Sequence, residues 1–147
     1  MDDFKFALYL GISLVPALVL HEYAHAFVAV RLGDPTAKRW GRLTLNPKPL
    51  IDPFGSLILP ALALILVAAR GMLLLPVFAY AKPMPVDPTF FKNPRRDMNL
   101  VVLAGLLANI LLAFIGGLLI RAGVAGELGT FAFAWLIVNA FMFGFQL

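Results

Sequence analysis

The sequence has no cysteine, two histidines and few charges, and each shortage removes a class of explanation. Without thiols there is no disulfide, no iron–sulfur cluster and no zinc–thiolate site. Charged residues make up 14% and apolar residues 61% of the 147 positions, where a soluble domain carries about 25% and about 45–50%. A chain this short cannot bury so much apolar surface in water, so an ordinary soluble domain is excluded. Disorder is excluded too, because it needs low hydrophobicity and high net charge. What is left is a small polytopic membrane protein of one domain, with the lipid bilayer as its surroundings.

The net charge of +4 is a statement about topology. Arg31, Lys38, Arg39, Arg42 and Lys48 fall in one loop between apolar stretches, and Lys82, Lys92, Arg95 and Arg96 fall in a second. Basic clusters beside apolar spans follow the positive-inside pattern, so loops 31–53 and 82–96 are expected in the cytoplasm. The same pattern argues against nucleic acid as a partner, which would call for a basic face on a folded domain.

Phe4 to about Leu32 is the first apolar run and is long enough to span a bilayer. It opens on Asp2 and Asp3 and no small-residue cleavage site follows, so it reads as a retained helix rather than a signal peptide. Pro16 lies inside it, and Gly33-Asp34-Pro35 is a stop signal. Leu43, Thr44 and Leu45 favour a short strand that Asn46-Pro47 ends. From Phe54 to Ala81 the chain is apolar but broken by Pro60, Arg70-Gly71 and Pro76. A straight helix there would place Arg70 in lipid and separate the two basic loops. A hairpin turning near Arg70-Gly71 avoids both, with residues 55–69 leading out and 72–81 returning as a shorter re-entrant segment. Met98 to Ile120 is a clean further span, with Gly105, Gly116 and Gly117 offering close helix contact, and Thr130 to Leu147 is the last apolar helix. The fold class expected is an all-α polytopic membrane protein. It has about three full transmembrane helices, a hydrophobic hairpin or re-entrant segment, and a short β-like strand or hairpin after the first helix.

The chemistry-bearing motif lies in the first span. His21-Glu22-Tyr23-Ala24-His25 is H-E-x-x-H, and on a helix its two histidines share one face, one turn apart. Their imidazoles can converge on one Zn²⁺, which favours nitrogen ligands, and Glu22 can reach a water on that ion as general base. Ionisable residues inside an apolar span are costly and functional by default. The plainer account is that they hydrogen-bond to neighbouring helices or face a polar cavity. With loop 31–53 inside, His21 and His25 lie about 10–17 Å along the helix from Leu32.

Beyond this motif the sequence resembles the site-2 protease family of intramembrane zinc metalloproteases. His21-Glu22-Tyr23-Ala24-His25-Ala26 matches the family's HExxHA. Gly41-Arg42-Leu43-Thr44-Leu45-Asn46-Pro47 and Ile51-Asp52-Pro53-Phe54-Gly55-Ser56 are similar to a downstream segment of its compact bacterial members. Ala81-Lys82-Pro83-Met84-Pro85-Val86-Asp87-Pro88 resembles their AKPVPVNP loop, and Ala104-Gly105-Leu106-Leu107-Ala108-Asn109 resembles AGPLAN with Leu106 in place of proline. The resemblance implies a zinc endopeptidase that hydrolyses peptide bonds in or near transmembrane segments of membrane-protein substrates. It sits in a bacterial or archaeal plasma membrane, with His21 and His25 as zinc ligands and Glu22 activating water. The family's third ligand is an aspartate in a later N-x-x-P-x-P-x-x-D-G motif. This sequence does not contain it; Gln146 falls about where the motif's asparagine is expected. The expectation is a fragment cut before that aspartate, binding zinc weakly and inactive as written. Asp52, Asp87 and Asp97 could substitute, though capping or solvated roles account for them more simply.

Three further features have two accounts each. Leu43, Thr44 and Leu45 could pair with an unwound substrate by strand addition, or form an ordinary loop with Trp40 at the interface. Lys82 and Pro83 could line a water path to the metal, or form a stiff turn. Asn109 could line the active site, but an interhelical hydrogen bond is the simpler account, and Asn139 reads the same way. The rival functions are a catalytically incompetent relative that binds membrane helices as an adaptor or chaperone, and a metal transporter. The transporter is disfavoured because the intramembrane ionisable residues cluster on one helix, Arg70 apart.

Overall fold

A computed structural model describes residues 3–50, 52, 54, 58, 61–62, 65 and 84–145. The expected hairpin over 55–81, with Arg70, lies outside the described residues but for a few positions, and so do Lys82 and Pro83. Among the described residues, three long helices, α1 (Asp3–Arg31), α3 (Pro94–Arg121) and α4 (Gly126–Phe145), are joined by the four-residue α2 (Thr36–Arg39) and by 3-10 turns at Lys48–Leu50 and Pro88–Phe90. Among the described residues, three stretches are long and apolar enough to cross a membrane: Phe4–Arg31, Pro94–Arg121 and Gly126–Phe143. The all-helical reading with three spans therefore stands.

α1 runs through Pro16 without ending there. It stops nearly two turns beyond the H-E-x-x-H motif, where Gly33 takes φ +109°. The Gly33 amide donates to the Val30 carbonyl (3.1 Å) and the Asp34 amide to the Ala29 carbonyl (3.0 Å), the paired bonds of a Schellman cap. The same motif closes α2 at Gly41, φ +67°, where the Arg42 amide donates to the Ala37 carbonyl at 2.8 Å. These two caps turn the chain back so that Arg42 comes towards α1.

The expected strand at Leu43–Leu45 does not form: these residues are bends, and there is no strand among the described residues. Local hydrogen bonds take its place. The Asn46 amide donates to Thr44 Oγ1 (3.0 Å) and the Lys48 amide to Asn46 Oδ1 (3.1 Å). Such side-chain acceptors offer the backbone an alternative to a ladder, and no described strand lies alongside to compete.

α3 starts behind Asn93 with Pro94 in its first turn, where a missing amide hydrogen costs nothing. Asp97 reaches back to accept from the Asn93 amide (3.2 Å) and from Arg96 Nε (3.1 Å). α1, α3 and α4 pack pairwise. One apolar core, Phe6, Leu10, Leu14, Ala17, Ala134, Val138 and Met142, fills the α1–α4 seam. A second, Ala29, Phe91 and Val101, joins the end of α1 to the start of α3 and the loop before it. Outward, α3 exposes Leu103, Leu107, Leu111, Phe114 and Leu118, a surface suited to lipid. Phe54, Ile58, Leu62 and Ile65 are likewise exposed and apolar. Met142 is core and Phe133 is exposed, so the Phe and Met residues of α4 divide between packing and outer surface.

Candidate metal centre

The two imidazoles of the motif meet edge to face on α1, centroids 4.3 Å apart at 86°. α3 aims them. His21 Nδ1 faces Asn109 Oδ1 at 2.6 Å, and His25 Nδ1 faces the Val101 carbonyl at 2.6 Å. Both partners are carbonyl oxygens, which only accept, so each Nδ1 carries the hydrogen and each Nε2 of the neutral rings presents a lone pair. The two Nε2 atoms stand 2.7 Å apart. Two lone pairs directed at one another repel, and a shared cation relieves the repulsion. An Nδ1–H donated to a carbonyl is also the usual outer support of a metal-binding imidazole.

Glu22 completes the cluster: donor atoms of His21, Glu22 and His25 all lie within 4.8 Å of one another. Glu22 Oε2 is buried and makes no hydrogen bond within the protein, and the same holds for Arg42 Nη1. The guanidinium of Arg42 is the charge that acts on Glu22. Nitrogen and carboxylate donors of this kind suit Zn²⁺, and seating both nitrogens at about 2.0–2.1 Å from it requires the rings to part slightly. Gly105 makes the approach of α3 feasible, because a Cβ there would collide with both histidine rings.

The structure thus brings together His21, Glu22, His25 and Asn109. Asn109 makes two contacts: Oδ1 faces His21 Nδ1 at 2.6 Å, and Nδ2 donates across helices to Asn139 Oδ1 at 3.0 Å. Leu43 and Thr44 are half-buried and Leu45 is exposed, with the hydrogen bonds given above local to their own turn. None of the three aspartates read as substitute ligands joins the cluster. Asp97 caps α3, and Asp52 accepts from the Phe54 amide at 3.1 Å. Asp87 accepts from the Thr89 amide (3.0 Å) and hydroxyl (2.6 Å), and these bonds hold its carboxyl below the usual carboxylate range.

Sequence reasoning passed over two residues here. Arg42 read as a topology charge, although its guanidinium is the charge that acts on Glu22. Gly105 read as a general contact position, although Gly105 and Asn109 are one turn apart on one face of α3, a spacing that could have marked the face turned to the histidines.

The chain is 41% identical to "Putative zinc metalloprotease YwhC" of Bacillus subtilis over 149 aligned residues, covering 95% of this chain and 62% of that protein. Over most of its length the chain is homologous to the site-2 protease family of zinc metalloproteases. It is also 36% identical over 100 residues to "Putative zinc metalloprotease Rip2" of Mycolicibacterium smegmatis, covering 66% of this chain and 34% of that one. For Rip2 of Mycobacterium tuberculosis the identity is 39% over 99 residues, with 67% and 34% covered. The chain spans about three fifths of the length of YwhC. No family model and no solved structure matches it.

Proposed function

We propose that this chain carries the zinc-binding half of an intramembrane endopeptidase site. His21 and His25 hold the ion through Nε2, Glu22 is the general base, and the substrate is a membrane-protein segment that unwinds at the site. The observation that carries the reading is the pair of Nε2 lone pairs, locked face to face beside a carboxylate inside an apolar span. Zinc bound there supplies Lewis acidity for hydrolysis of a peptide carbonyl and lowers the pKa of water. Glu22 takes a proton from the attacking water and passes it to the leaving amine nitrogen, which balances the cleavage. Arg42 sits where its charge acts on Glu22, a place from which its unpaired Nη1 can meet substrate.

The basic loops support a cytoplasmic location for α2 and the C-terminal end of α1. At 1.5 Å per residue, His25 and His21 lie about 9–15 Å into the span from Arg31. Homology to zinc metalloproteases supports the same chemistry. The test is zinc content of the purified protein, together with cleavage of a single-span substrate in detergent. Zinc is expected in the unaltered protein and in Glu22→Gln, and not in His21→Ala or His25→Ala. Equal zinc in all four would overturn the site. Zinc retained with no cleavage would favour the helix-binding adaptor in place of the protease.

A further inference from the structure

The hydrogen bond from His21 does not end at Asn109. Asn109 Nδ2 donates to Asn139 Oδ1 (3.0 Å), and Asn139 Nδ2 donates to the Trp135 carbonyl (2.9 Å) one turn back along α4. Asn109 and Asn139 are fully buried and His21 nearly so, with exposures of 0%, 0% and 4%. No solvent competes for any of these groups.

The chain has a direction. A backbone carbonyl only accepts, so the Asn139 group facing Trp135 must be its NH₂. That turns Asn139 Oδ1 towards Asn109. The Asn109 group facing that oxygen must then be its own NH₂, and its Oδ1 is left to face His21 Nδ1. His21 Nδ1 therefore carries the hydrogen, and Nε2 is bare. If Asn109 turned over, its NH₂ would meet Nδ1, the hydrogen would move to Nε2, and the ring could no longer bind an ion through that atom.

We propose that Asn139 is a positioning residue for His21. Acting through the Asn109 amide, it makes the Trp135 carbonyl of α4 a reference that works beside the Gly105 backbone in setting which His21 nitrogen can hold a metal. The inference rests on the zinc reading of the site. His25 supplies an internal comparison, because its Nδ1 is held by the Val101 carbonyl with no side chain in between, whereas His21 has the Asn109 side chain in addition to the Gly105 backbone. A bond that merely tied α3 to α4 would not distinguish the two histidines.

The experiment is ¹⁵N NMR of the histidine-labelled protein in detergent micelles, metal-free and under alkaline conditions, alongside zinc affinity by chelator competition. The unaltered protein is expected to show both rings with hydrogen on Nδ1. In Asn139→Leu, His21 should become a mixture of the two ring forms while His25 keeps its one form, and zinc affinity should fall about 10–100-fold. His21 nitrogens unchanged in this variant would overturn the proposal. Asn139→Ser keeps a hydroxyl for the Trp135 carbonyl but is too short for Asn109. It decides the question where the leucine variant does not fold: a mixed His21 there supports the relay, and a single form overturns it. Failure of the unaltered protein to take up zinc would overturn the metal reading instead, because the ring forms are read without metal.

Discussion

Two buried polar clusters sit near one another on the same helix and its exit loop, and they are finished differently. Asp34 has no exposed surface and carries a carboxylate. Its Oδ1 accepts from the Thr36 amide (2.9 Å) and hydroxyl (2.5 Å), and its Oδ2 accepts from the Asp87 amide (2.8 Å). Both oxygens are occupied by donors from the protein. Around His21 and His25 only the far side of each ring is occupied. Nε2 of both rings and the Glu22 carboxylate converge without such completion, and Glu22 Oε2 and Arg42 Nη1 are buried without a hydrogen bond. A cluster that satisfies itself holds the fold, tying the end of α1 to the loop before α3. A cluster that leaves several atoms of matched chemistry open is built to receive something. Burial alone does not separate the two; the count of satisfied lone pairs does.

The sharpest way to break this contrast is to substitute within each cluster and compare metal with stability. His25→Ala should abolish zinc uptake, read as metal per protein by elemental analysis, and should leave the helical signal near that of the unaltered protein. Next, Glu22→Gln should keep the zinc and, in any form of the protein that cleaves substrate, lower cleavage by about 10²–10⁴-fold, the usual weight of a general base; cleavage near the unaltered rate would remove Glu22 from the chemistry. Gly105→Ala forces a methyl onto both rings, so it should displace them and cost about 1–3 kcal/mol of overpacking. Its loss of zinc affinity should exceed that of Gly116→Ala, where the added methyl meets Trp135 and the Ala132 carbonyl instead. Asp34→Ala belongs to the other cluster. It strands the Thr36 and Asp87 amides, so thermal or denaturant unfolding should register a loss of about 1–3 kcal/mol with zinc content unchanged. Zinc lost from Asp34→Ala would erase the distinction drawn between the clusters.

The smallest effect expected is at Asp87. Its carboxyl is depressed by Thr89, so it contributes stability above its unfolded pKa, and that contribution disappears as pH falls through its folded pKa. Thr89→Val should flatten the acid end of the stability profile slightly and leave neutral pH nearly untouched.

What was legible in the sequence was whatever repeats locally. Apolar length marked all three spans, Gly33-Asp34 marked the end of α1, and the spacing of His21 and His25 marked a shared face. The strand at Leu43–Leu45 was misread because β-propensity needs a partner, and Thr44 and Asn46 satisfy the backbone in place. The site's support was legible only in part because it is assembled across distance. His21 and Asn109 are 88 residues apart, and nothing in the neighbourhood of either names the other. Asn109 and Asn139 each read as one interhelical bond, since one mid-span amide suggests one partner, whereas an amide has enough donors and acceptors to pass a direction on. Arg42 was legible as charge but not as position, because the two caps at Gly33 and Gly41 decide where it turns.

The amide relay also sets a schedule for synthesis. His21 is made early, Asn109 comes 88 residues later and Asn139 a further 30 residues after that. At about 5–20 residues per second, α1 waits roughly 6–24 s in the bilayer before its first histidine is aimed. A newly inserted first helix therefore carries the motif without the geometry. On the proposed relay, full affinity for a metal is expected only once α4 docks, so the site is finished inside an assembled bundle rather than on a lone helix.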